Sequence, residues 1–80
     1  MAVRLIFLGK LADLAGESER GMAFPLDWSG LLNELEPELG EAVQSDKVRI
    51  AINGELIPDK LQFHAGDGDE VALLPPVSGG

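Results

Sequence analysis

At Asp27 the spacing of the apolar residues changes, and this change restricts the fold more than any other feature of the chain. Before it, "VRLIF" places Val3, Leu5 and Phe7 on one side of an extended segment and Arg4 and Ile6 on the other, with Leu8 continuing the second series. After it, Trp28, Leu31, Leu32 and Leu35 recur at i, i+3, i+4 and i+7, the period of a helix with one apolar face, and Asp27 is well placed as its N-cap. The two-residue period then returns. Val48, Ile50 and Ile52 alternate with Arg49, Ala51 and Asn53 in "KVRIAINGELI", and Val71 and Leu73 close the pattern in "GDGDEVALL". A chain that is strand-like at both ends and helical between them buries its apolar helix face by laying it across a sheet, which predicts an α+β architecture.

The turn residues order these elements. In "KLADLAG", Leu11, Leu14 and Ala15 predict one or two helical turns, stopped by Gly16. "ERGMAF" reads as a second strand ended by Pro25, and Pro37 ends the main helix or begins a short second piece. Asn53-Gly54 is a strong hairpin signal, and Asp67-Gly68 a turn before the last strand. A hairpin, a helix and further strands in this order is the arrangement of a β-grasp, or ubiquitin-like, fold. The expected form is a mixed sheet of four to five strands with one main helix packed on one face, spanning residues 1–76, followed by an extended tail at 77–80. The first and last strands should lie side by side and parallel, their Val3, Leu5, Phe7, Val71 and Leu73 covered by the helix together with Ile50 and Ile52. On the other face, Arg4, Ile6, Leu8 and Glu70, Ala72, Leu74 both run from charged to apolar towards the tail. The apolar patch so formed is either covered by a loop or the short second helix, or it is a docking surface for another protein.

The composition excludes several classes of function. Fourteen acidic against 6 basic side chains give a net charge of −8, which repels nucleic acid and anionic lipid. With no cysteine there is no disulfide, thiolate ligand or thiol nucleophile, and the single histidine, His64, reads as a surface or turn residue. The acidic "AGDGDEV" lacks the further ligands of a calcium loop. No P-loop, metal-ligand spacing or Ser/His/Asp set occurs, so no metal and no bound cofactor are expected. The apolar run Leu5–Leu8 stops at Gly9 and Lys10, too short for a signal peptide or a membrane span, and a cytoplasmic location is expected.

The end of the sequence, "LLPPVSGG", is the most distinctive stretch for function. Pro75 and Pro76 close the last strand and hold the chain extended, aiming the last four residues away from the domain. Val77, Ser78, Gly79 and Gly80, at roughly 3.3 Å per residue, reach on the order of 13 Å further. Lacking Cβ atoms, Gly79 and Gly80 can pass through a channel that would exclude side chains, and the expectation is that they deliver the Gly80 carboxylate to a partner's active site; a frayed terminus is the other reading of a Gly-Gly end.

The order of elements, "AINGELI", "GDGDEVALLPP" and the ending "PPVSGG" closely resemble the small, sulfur-carrying subunits of molybdopterin synthase (the MoaD family), relatives of ubiquitin and of the thiamine sulfur carrier. The resemblance implies that Gly80 is adenylated by a ubiquitin-activating-type adenylyltransferase that consumes ATP. A sulfur donor protein then completes its conversion to a thiocarboxylate. It implies further that the tail inserts into the large synthase subunit and gives sulfur to cyclic pyranopterin monophosphate, two donations making the dithiolene of molybdopterin. Similarity assigns the interface to Leu8, Leu56 and Leu74. Many members carry an arginine at the position of Ala12 that pairs with the large subunit; here that charge is missing, and Lys10 is the candidate to compensate. Sulfur carriage for thiamine or cysteine synthesis, protein modification through isopeptide bonds, and an adaptor with an inert tail are the alternative readings.

Overall fold

Strand β1 (Val3–Phe7) is buried at every second residue: Val3, Leu5 and Phe7 lie inside, Arg4 is exposed and Ile6 half-buried. The computed structural model describes residues 2–23 and 25–76. Helix α1 (Lys10–Ala15), closed by Gly16 in the left-handed conformation, carries the chain into β2 (Glu19–Met22), which pairs antiparallel with β1 from Ile6↔Glu19 to Val3↔Met22. The expectation that this second strand runs on through Ala23 is corrected. Met22 already faces the first residue of β1, so that strand offers no partner beyond it, and Phe24 lies outside the described residues.

A two-residue strand, β3 (Leu26–Asp27), precedes α2 (Trp28–Glu34), where the Asp27 carboxylate accepts a 2.7 Å hydrogen bond from the Gly30 N–H. This satisfies one of the orphan donors of the first turn. Asp27→Ala is therefore expected to cost about 1 kcal/mol, read as a lowered midpoint in thermal unfolding; an unchanged midpoint would show the cap to be irrelevant.

Of the two outcomes expected at Pro37, it begins a second piece: the helical layer consists of α2 and α3 (Pro37–Val43), seven residues each, with Leu35 and Glu36 extended between them. Pro37 has no N–H to continue α2 and disfavours helical geometry at Glu36, but it fits the first turn of a new helix. Leu31 and Leu35 are joined in the core by Leu39 and Val43 of α3 and Leu11 of α1, whereas Trp28 and Leu32 are only half-buried at its margin.

Strands β4 (Arg49–Ile52) and β5 (Glu55–Leu56) form the expected hairpin, with Asn53 at φ 51° and Gly54 at φ 87°. Asn53 does more than turn the chain. Its side chain donates to Asp69 at 3.1 Å and accepts from the Glu70 N–H at 3.0 Å, tying the hairpin to the entrance of the last strand. The Asp69 carboxyl is held below its ordinary range by hydrogen bonds from the Gly66 N–H and then from Asn53. A 3₁₀ turn (Lys60–Gln62) and β6 (His64–Ala65), which pairs antiparallel with β3, lead to β7 (Glu70–Leu74).

The main sheet has the order β2-β1-β7-β4-β5, with β1 and β7 parallel and the other pairs antiparallel. The helices cover one face, burying Val3, Leu5, Phe7, Ile50, Val71 and Leu73. Ile52, expected among them, is half-buried. Two cations close the margins of this layer. The Arg20 guanidinium lies 5.3 Å from the Phe7 ring centre and pairs with Glu36 at 2.8 Å and with Glu17, which together raise its pKa. The Lys60 ammonium donates to the carbonyls of Val43 and Val48, each at 2.9 Å, and of Ser45, holding the turn that follows α3.

Candidate docking face and tail root

The register fixes what lies on the sheet face away from the helices. Ile6 pairs with Ala72, Ala72 with Ala51, and Ala51 with Leu56, so an apolar row crosses β1, β7, β4 and β5. At the usual strand spacing it extends over about 14 Å. Leu56 is 60% exposed, and Ile6 and Ala72 are half-buried. One register step towards the tail, Leu74 pairs with Arg49. Leu8 follows Phe7, the partner of Leu73, and is 41% exposed. Among the described residues Leu8 and Leu56 are exposed, Ile6, Ala72 and Leu74 are half-buried, and Ala51 is buried.

Register places Leu56 and Leu74 on this face, and Leu8 is the exposed residue that follows the end of β1. Leu74 follows from alternation along β7. Leu56 reaches the face because the Asn53-Gly54 turn fixes a register that sets it beside Ala51. At the far end of the face, Arg4 bonds Glu19 at 2.8 Å and lies 3.4 Å from Glu70, so charges there are already matched.

The root of the tail is built by β7 and a glycine. Pro75 is half-buried and Pro76 exposed. Gly9 has φ 53° and ψ −127°, backbone angles open almost only to glycine, and a Cβ there would lie 3.3 Å from the Pro75 ring. Gly9 therefore serves two purposes: it turns β1 into α1 and lets Pro75 seat beside it. Sequence reasoning missed this role, because nothing in "LGK" shows that residue 75 folds against residue 9. Val77, Ser78, Gly79 and Gly80 lie outside the described residues. Ala12 is half-buried against the core, so this position packs rather than presenting a charge.

His64 is exposed on β6 across from Asp27. Among the described residues no group of three or more His, Asp or Glu is placed to hold a metal ion, and no helix is long and apolar enough to cross a membrane. An open cleft of about 360 Å³ is lined by Ile52, Ile57, Pro58, Asp59, Phe63 and His64 among others.

Comparison with known proteins agrees with this geometry. The family model described as the ThiS family matches residues 5–80. The molybdopterin synthase sulfur carrier subunit of Aedes aegypti is 35% identical over 89 aligned positions, spanning 98% of this chain and 88% of that protein. Among solved structures, the complex of subunits 1 and 2 of molybdopterin-converting factor from Helicobacter pylori contains a chain 34% identical to this one. Its TM-score is 0.64, with 100% of both chains covered. The small archaeal modifier protein 1 of Methanosarcina acetivorans is 28% identical with TM-score 0.79, covering 98% of this chain and 95% of that one. With its β-grasp sheet, its open apolar row and a match that runs through the tail, this chain belongs to the ThiS family of ubiquitin-like sulfur carriers, which takes in the molybdopterin synthase carriers.

Proposed function

We propose that this chain is the sulfur carrier of a molybdopterin synthase, with residues 1–76 as the docking domain and residues 77–80 as the reacting tail. The observation that carries the reading is the apolar row leading to Leu74 and Pro75, which sets an adhesive surface at the base of the segment that reacts. The 35% identity to a carrier subunit of that enzyme supports it.

A carboxylate is a poor electrophile, so Gly80 must be activated before sulfur can enter. In the proposed sequence a carboxylate oxygen of Gly80 attacks the α-phosphorus of ATP in the adenylyltransferase, and pyrophosphate leaves. Sulfur at the sulfide level from the donor protein then displaces AMP, leaving a thiocarboxylate whose ionised sulfur is a nucleophile. Gly79 and Gly80, with Pro75, Pro76, Val77 and Ser78 behind them, thread this group into the large subunit while Leu8, Leu56 and Leu74 hold the domain outside. There the ionised sulfur attacks a carbon of cyclic pyranopterin monophosphate and displaces its oxygen substituent, forming a thioester with Gly80; water then cleaves the acyl–sulfur bond, leaving sulfur on the pterin and returning the Gly80 carboxylate. The chain supplies a handle and a leaving carboxylate; acids, bases and phosphate-binding groups come from the partners. The proposed setting is the cytoplasm, where the activating enzyme and ATP meet the carrier.

Intact-mass analysis tests the reading directly. After incubation with the adenylyltransferase, ATP and a sulfide source, the chain should carry one sulfur in place of one oxygen, located at Gly80 by fragmentation. Sulfur at any other residue overturns the proposal. A second reading, protein modification, is favoured by the likeness to small archaeal modifier protein 1. It uses the same activation but predicts isopeptide-linked products on lysines in place of a thiocarboxylate that empties into the pterin.

A further inference from the structure

Arg49 opens β4 on the exposed face, directly opposite Leu74, the last strand residue before Pro75. It is exposed, in a chain with 14 acidic and 6 basic side chains. The other arginines are engaged: Arg4 with Glu19 and Glu70, Arg20 with Glu17 and Glu36. Lys60 is spent on backbone carbonyls, and Lys10 and Lys47 are exposed but lie outside the sheet, on α1 and after α3, so Arg49 is set apart by its register opposite Leu74. Arg49 makes no ion pair among the described residues, although Asp46 and Asp59 line the same open cleft of about 470 Å³.

We infer that Arg49 is a specificity-determining residue of the docking face, pairing with a carboxylate that the large subunit sets beside its apolar seat for Leu74. The inference rests on the function proposed above. When Leu74 and its neighbours are buried, water is excluded from the adjacent guanidinium, and a charge left there without a counter-ion is costly. A carboxylate matches its planar fork with two parallel hydrogen bonds. A partner with an apolar seat but no acid at this point is rejected, so the charge selects among acceptors where the leucines alone would not. About six residues separate Arg49's partner Leu74 from Gly80, roughly 20 Å when extended, so Arg49 acts on docking and not on the reacting group.

Titration of the purified chain against the large subunit of the same organism, at low and at high salt, tests the assignment. Arg49→Ala should lower affinity about tenfold at low salt, with a much smaller deficit at high salt, while circular dichroism and thermal unfolding stay those of the parent. Undiminished affinity, or an equal deficit at both salt concentrations, overturns the ion pair and leaves the functional reading standing. A parent chain that fails to bind the large subunit at all overturns both. If sedimentation shows that the parent self-associates through this face and Arg49→Ala abolishes it, the carboxylate belongs to a second copy and the assignment to the large subunit is wrong.

Discussion

Removing Gly79 and Gly80 should abolish sulfur transfer while leaving most of the affinity for the large subunit. The two properties separate because they occupy different parts of the chain. Affinity is expected from the row Ile6, Ala72, Ala51 and Leu56 and from Leu74, all on the sheet, and from Leu8 just past the end of β1. Chemistry is expected from a terminal carboxylate several residues beyond Pro76. Truncation takes away the activated atom and shortens the reach by roughly 6 to 7 Å, so the new terminus stops short of the pterin. The buried core runs from Val3 to Leu73, and truncation leaves all of these residues in the chain. Gly79→Val provides the finer version: the length and the carboxylate remain, but a branched side chain restricts the backbone and widens the segment that must thread the channel. Synthase turnover and calorimetric binding measured on the same samples decide the matter. Full activity in the truncated chain would make the tail inert and the protein an adaptor, and loss of binding equal to loss of activity would show that the tail, and not the sheet face, provides the affinity.

The parts of this fold that were legible in the sequence are those where one period lasts several residues. Val3, Leu5 and Phe7, and Val71 and Leu73, alternate long enough to define β1 and β7, and their shared drift from charged to apolar gives the open patch before any contact is known. Asp27 and Asn53 announce themselves through the chemistry of a cap and a turn, and both act as expected. What was not legible depends on register or on short-range competition. Strands β3 and β6 have two residues each, too few for a period, and exist because Leu26 and Ala65 are buried together. The break between α2 and α3 turned on whether Pro37 would end or restart a helix, and Leu39 and Val43 settle it by burying a second apolar face. Arg49 was hidden for a different reason. Alternation assigns it to the outer face of its own strand, but only the antiparallel pairing of Ile50 with Leu73 places it against Leu74. Likewise the seat of Pro75 on Gly9 joins residues distant in sequence that no local pattern connects.

The combined substitution Leu56→Glu and Leu74→Glu should reduce affinity for the large subunit by about a hundredfold or more. Each leucine gains about 1.5 to 3 kcal/mol on complete burial, and the gain is smaller for Leu74, which is already half-buried in the free chain. Loss of both contacts, and the cost of pressing two carboxylates against an apolar seat, act in the same direction. The sites lie on different strands, with Leu56 on the edge strand β5 and Leu74 on β7, and the two row residues Ala51 and Ala72 between them, so their effects should be close to additive. Neither enters the helix-covered core: that side of the sheet is filled by Leu5, Phe7, Ile50, Val71 and Leu73. The new carboxylate at residue 74 faces Arg49, which can neutralise it in the free chain and so protects the fold, while removing Arg49 from service to the partner. Thermal unfolding should therefore change little even as binding collapses. Affinity within a few-fold of the parent, in a folded double variant, would mean that the large subunit grips another surface. The acidic helical layer would then be the face to map, and the open row beside the tail would need a different occupant.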